Sequence, residues 1–93
     1  MAASKQDIRA WFKRGVAQGA THMIVVCDTY DHEDYPVFVK PGEDPREQST
    51  AHRCKFSRVM EVYAMHLDME AQLAEERTFH YDAPPVDNRP AAT

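Results

Sequence analysis

The sequence has little of what would tie a small protein to a covalent scaffold, a membrane or a polyphosphate chain. Only two cysteines occur in 93 residues, Cys27 and Cys54, and they form no C-x-x-C arrangement. This speaks against a disulfide framework or a thiolate metal cage and for reduced thiols. No apolar run approaches the roughly 20 residues that span a bilayer, and Met1 to Gln6 lacks the apolar core of a secretion signal. The expected compartment is the cytoplasm, with no membrane contact. An excess of cations is missing as well: the formal net charge is -4, too acidic for unspecific phosphate binding, so nucleic acid is not an expected partner. No cofactor signature is present, and no cofactor is expected.

What remains is a chain sized for one domain, and its 43% hydrophobic content supports a modest core of the kind that small domains complete by self-association. Ser4-Lys5-Gln6-Asp7 reads as a capping box that opens a helix at Lys5. Ile8, Trp11, Phe12 and Gly15 form its buried stripe, and Gly19 offers a left-handed stop. From Thr21 to Cys27 the chain is apolar on both alternating faces, which calls for cover on both sides of a strand. A second β-branched and aromatic run, Tyr35 to Lys40, lies close enough for an antiparallel hairpin. Asp44-Pro45-Arg46-Glu47 starts a short helix.

The stretch Lys55 to Arg77 is expected to form a long helix. Its wide apolar arc takes in Phe56, Val59, Met60, Val62, Tyr63, Leu67, Met69 and Leu73, with Ser57, Glu61, Asp68, Gln72 and Glu75 opposite. His80 to Thr93, with three prolines and no periodicity, reads as a flexible tail. The expectation is therefore a single α+β domain over residues 1–79 and a tail over 80–93. The order is an N-terminal helix, an antiparallel β-hairpin and a long C-terminal helix (α-β-β-α). A lone hairpin is marginal in water, so the sheet is expected to be completed by helix cover or by pairing of two copies in a homodimer.

Chemistry concentrates in CDTYDHEDYPV, residues 27–37. Asp28, Asp31, Glu33 and Asp34 lie within seven residues, and no lysine or arginine occurs between Arg14 and Lys40. Tyr30 and Tyr35 flank the acids and offer flat contact surface beside charge, so Asp28, Tyr30, Asp31, His32, Glu33, Asp34 and Tyr35 are the binding candidates. Asp28, Asp31, His32 and Asp34 are the weaker candidates for a metal, in a spacing that matches no known cage and lacks the glycine of an EF-hand loop. The plainer alternative is a solvated turn in which Asp28 and Asp31 cap backbone amides. His66 and Glu70, at i and i+4 of the expected long helix, are weak acid–base candidates; a polar pair that fixes helix register has the same spacing. Cys27 is discounted as a nucleophile because neighbouring carboxylates raise a thiol's pKa. An anionic ligand would instead call on Arg9, Lys13, Arg46, Arg53 and Lys55.

Gly19-Ala20-Thr21-His22-Met23-Ile24-Val25-Val26-Cys27-Asp28-Thr29, then Glu33-Asp34-Tyr35-Pro36-Val37, Pro41-Gly42-Glu43-Asp44 and Arg58-Val59-Met60-Glu61-Val62-Tyr63 carry a resemblance to a family of short uncharacterised proteins found in bacterial genomes, including phage and prophage regions. The resemblance covers roughly Asp7 to Tyr81 and brings no residue-level activity. It implies a small accessory protein of a mobile element that binds a host protein or a small signalling ligand, anti-defence inhibition being one form. The rival classes are a small metal-dependent hydrolase using the acidic loop and a structural or assembly component.

Overall fold

Ser4 starts the fold as the spacing predicts. Its hydroxyl accepts from the Asp7 amide, and the Asp7 carboxylate accepts from the Ser4 amide, closing the capping box of α1 (Lys5–Gln18). Gly19, at φ 79°, ends the helix in the left-handed region, where its amide caps the last carbonyls. Ile8, Phe12 and Gly15 are buried along one face of α1 and Trp11 is half-buried beside them. The computed structural model describes residues 3–82. Beyond α1 these comprise β1 (His22–Asp28), β2 (Glu33–Val39), α2 (Pro45–Ala51), β3 (Ser57–Ala64) and α3 (Met69–Leu73). Asp44 caps α2 through the Arg46 amide, with Pro45 in the first turn. None of these helices is long and apolar enough to cross a membrane.

The protein is thus α+β, with three helices and a three-stranded antiparallel sheet in the order β2-β1-β3 among the described residues. β1 and β2 form the expected hairpin, in a register that sets Val26 against Tyr35 and Asp28 against Glu33. The α-β-β-α order is corrected, since Lys55 to Arg77 is not a long helix. Most of it is β3 followed by a turn and the five-residue α3. The physical reason lies in a bulge opposite Val25 and Val26, where the register shifts so that Val25 faces Glu61 and Val26 faces Val59. One extra residue, Met60, enters the strand there. It leaves Val59 and Val62 on one face and Met60 and Tyr63 on the other, a spacing of three that imitates a helical stripe. β1, apolar on both faces, takes its second neighbour from its own chain rather than from a second copy.

Two cores follow from the two faces. Met23, Val25 and Tyr63 pack with Ile8 and Phe12 of α1 and Leu73 of α3, while Ile24, Val26, Val39 and Val62 form the opposite layer, joined by Tyr81. Gly15 lets α1 approach the sheet closely, since a Cβ there would lie 2.9 Å from the Phe38 ring. The free edge of β3 is closed by sequence that follows it. Val62 donates to the Thr78 carbonyl and accepts from the His80 amide at 2.8 and 3.0 Å. The Gln72 carboxamide does the same for Ala64, accepting from its amide at 2.9 Å and donating to its carbonyl at 3.0 Å. Gln72, expected on a solvated helix face, is only 2% exposed. His80, Tyr81 and Asp82, assigned by sequence to the tail, are bound into the fold. The rest of that expected tail lies outside the described residues.

Candidate functional site

The acidic segment does form the turned end of the hairpin. Asp28 is consumed by the turn itself: its carboxylate accepts from the Tyr30 amide at 2.8 Å and the Asp31 amide at 3.3 Å, an Asx-type cap. His32, at φ 60°, brings the chain back, and its amide donates to the Asp28 carbonyl. Asp34 is also engaged, accepting from the Ala3 amide at 2.9 Å. Asp31 and Glu33 remain exposed. The plainer structural role therefore holds for Asp28, and the candidates divide into those that build the turn and those that decorate it. Among the described residues no group of three or more His, Cys, Asp or Glu side chains is gathered as a metal would require.

A second turn, residues 54–57, packs against the first. Cys54 and Ser57 pair backbone to backbone, and the Thr29 amide donates to the Phe56 carbonyl at 2.8 Å. This locks Tyr30 and Phe56 side by side, with rings 6.2 Å apart at 87°, although they are 78% and 53% exposed. Lys55 lies over the Phe56 ring at 5.5 Å. The tip is therefore an exposed aromatic pair with Asp31, Glu33 and Lys55 around it, not an acidic cluster alone. Phe56 was missed by the sequence reading because the expected helix placed it in a buried arc. Tyr35, on β2, is 37% exposed.

The five basic candidates separate into three places. Arg9 and Lys13 lie on α1, where Arg9 makes a two-pronged ion pair with Glu70 at 2.7 and 3.0 Å. The hydrogen bond from Arg9 lowers the Glu70 pKa. Lys55 belongs to the tip. Arg46 of α2 and Arg53, two residues past the end of that helix, come together beside Ser49 and Thr50 around an open depression of about 420 Å³ lined by Tyr81. The Arg46 guanidinium stacks over the Tyr81 ring at 4.5 Å, and Arg53 donates to the Tyr81 hydroxyl at 3.2 Å. The buried Ser49 hydroxyl shares a hydrogen bond with the same phenol at 3.0 Å. Tyr81, Ser49 and Thr50 escaped the sequence reading. The pattern Arg46-x-x-Ser49-Thr50 was the available signal, since those spacings align on one helical face, whereas Arg53 follows the end of α2 and is placed by the turn after it.

His66 and Glu70 do not form the expected helical pair. His66 sits in the turn after β3, its ring 6.3 Å from that of His22, while Glu70, in the first turn of α3, is taken by Arg9. His22 is buried between the Thr21 hydroxyl and the Asp82 carbonyl at 2.9 and 2.7 Å. Burial lowers its pKa, the Asp82 carbonyl opposes this, and the charge of His66 adds to the lowering. Burial and then Asp34 raise the pKa of the Cys27 thiol, in keeping with its poor prospects as a nucleophile. No protein-family model matches the chain, and no curated protein or solved structure matches it either.

Proposed function

We propose that the protein acts by non-covalent binding and that the hairpin tip is the surface that meets a partner protein. The supporting observation is the exposed Tyr30–Phe56 pair, fixed edge to face by backbone bonds between two turns. Large rigid aromatics lose little entropy on contact and dominate binding energy where they occur, while flanking charge selects the partner and speeds its approach. Asp31 and Glu33 favour a surface that carries arginine or lysine. The resemblance to phage and prophage proteins makes the partner a host protein and the role that of an accessory factor, inhibition of a host defence component being its most direct form. A homodimer belongs to the same proposal. β2 keeps one edge unpaired among the described residues, interrupted at Pro36, which has no amide to donate.

The test compares immobilised wild-type protein with a Tyr30→Ala/Phe56→Ala/Asp31→Lys variant in capture from host lysate, read by quantitative mass spectrometry. Loss of these three exposed side chains is expected to change stability by no more than about 1.5 kcal/mol, roughly 0.5 kcal/mol each, so the variant stays folded, as circular dichroism will check. A host protein retained by the wild type, released by moderate salt and lost from the variant supports the proposal. Identical captured sets from both proteins refute it. Light scattering across a dilution series measures the dimer separately.

A further inference from the structure

The depression on α2 has a different chemistry from the tip and involves none of its residues. Arg46 and Arg53 are both held against one aromatic ring, the first stacked on its face and the second bonded to its hydroxyl. Among the described residues neither guanidinium is paired with a carboxylate, in contrast to Arg9, which Glu70 neutralises. Two like charges are thus fixed around a single phenol in a chain whose formal net charge is -4, and their repulsion is relieved by an anion placed between them. Folding fixes this arrangement through neutral groups. Ser49 is buried and bonded to Tyr81, and Tyr81 packs on the Ile24, Val26, Val39 and Val62 layer. The cations are therefore anchored before any ligand arrives, which lowers the entropy lost on binding.

The donors also indicate which anion fits. A carboxylate is planar and is satisfied by one guanidinium fork, as Glu70 is by Arg9. Here one guanidinium lies over the Tyr81 ring and the other beside its hydroxyl, with Thr50 at the rim, so hydrogen-bond donors approach from more than one direction. That suits a tetrahedral dianion with three free oxygens. A space of about 420 Å³ exceeds what a bare phosphate fills and falls within the range of small-molecule sites. We infer that the pocket formed by Arg46, Ser49, Thr50, Arg53 and Tyr81 binds the phosphate group of a small phosphorylated molecule.

The experiment is titration of the full-length protein with inorganic phosphate, adenosine 5′-monophosphate and acetate, followed by calorimetry and by the amide and arginine side-chain resonances. Saturable binding of both phosphate probes is expected, with shifts centred on Arg46, Thr50 and Arg53. Acetate should bind at least about tenfold more weakly. Arg46→Gln and Arg53→Gln should each weaken phosphate binding about tenfold, corresponding to loss of one charge-assisted contact. Arg53→Lys, which keeps the charge but not the fork, should recover only part of it. Should either glutamine variant melt earlier than the wild type, Thr50→Glu tests the same point from the exposed rim and should abolish binding. The inference is overturned if no saturable binding occurs, if acetate binds as well as phosphate, or if the Arg46→Gln/Arg53→Gln double variant binds unchanged. None of these outcomes bears on partner capture by the hairpin tip, so the two readings fail separately.

Discussion

Replacing Gln72 by methionine tests the closure of β3, because it keeps the shape of the side chain and removes all of its hydrogen bonds. In the native protein the carboxamide accepts from the Ala64 amide and donates to the carbonyls of Ala64, Leu67 and Asp68, at 2.9, 3.0, 3.3 and 3.2 Å respectively. Ala64 is fully buried, whereas Leu67 and Asp68 lie nearer to water. The substitution therefore orphans two buried backbone groups, each at a cost of about 1–3 kcal/mol, while the other two carbonyls can recruit solvent. A total loss of about 3 kcal/mol follows, a large share of the 5–15 kcal/mol that holds an ordinary domain together. For a domain of this size that lowers the melting temperature by roughly 12–24 °C. Urea unfolding should show a lower midpoint with an unchanged slope, and the Ala64 amide should exchange with solvent much faster. Gln72→Glu adds a sign. Its carboxylate still accepts from the Ala64 amide but repels the Ala64 carbonyl, so this variant should regain stability relative to wild type once acid protonates it. A melting temperature for Gln72→Met within about 3 °C of wild type would show that the edge of β3 does not depend on this side chain.

Two further outcomes follow from the buried sites. Because the folded His22 has a pKa below its ordinary value of 6.5, the unfolded chain takes up a proton first, so stability is complete above pH 6.5 and falls as the pH drops below it. Thermal melts between pH 7 and 5 should show this decline and His66→Ala should soften it, since His66 adds to the lowering; a midpoint that stays level or rises would refute the assignment. Gly15→Ala gains about 1 kcal/mol of helix propensity but sets a methyl 2.9 Å from the Phe38 ring and 3.2 Å from Met65, and overpacking of about 1–3 kcal/mol outweighs that gain. Chemical denaturation should find the variant about 1 kcal/mol less stable, and a variant more stable than wild type would mean that α1 can lift from the sheet without loss.

Much of the local architecture was legible in the residues. Ser4 and Asp7 announce α1, Gly19 ends it, Asp44 and Pro45 open α2, and the doubly apolar Met23–Cys27 run marks a strand covered on both sides. Each of these signals acts within a few residues, through a cap, a φ value or a side-chain alternation, so tertiary contacts had little to overrule. The third strand was not legible because the bulge at Val25 and Val26 shifts its alternation to a spacing of three. The candidate site was legible only in part. Composition placed acids at the hairpin tip, but whether Asp28 serves the turn or a partner depends on where the Tyr30 and Asp31 amides point.

The sequence by itself determined the caps, the hairpin and the need of β1 for neighbours on both sides, because these are set by chemistry over short stretches of chain. Only the tertiary structure decided that the second neighbour is β3, that a carboxamide with the polarity of a surface residue would finish its edge, and that Tyr30 would meet Phe56 while Arg46 and Arg53 would meet Tyr81. The contacts of Tyr30 with Phe56 and of Arg53 and Arg46 with Tyr81 join residues 26 to 35 positions apart, and the free energy that fixes such pairings comes from packing and hydrogen bonding across the whole sheet, which no local window contains.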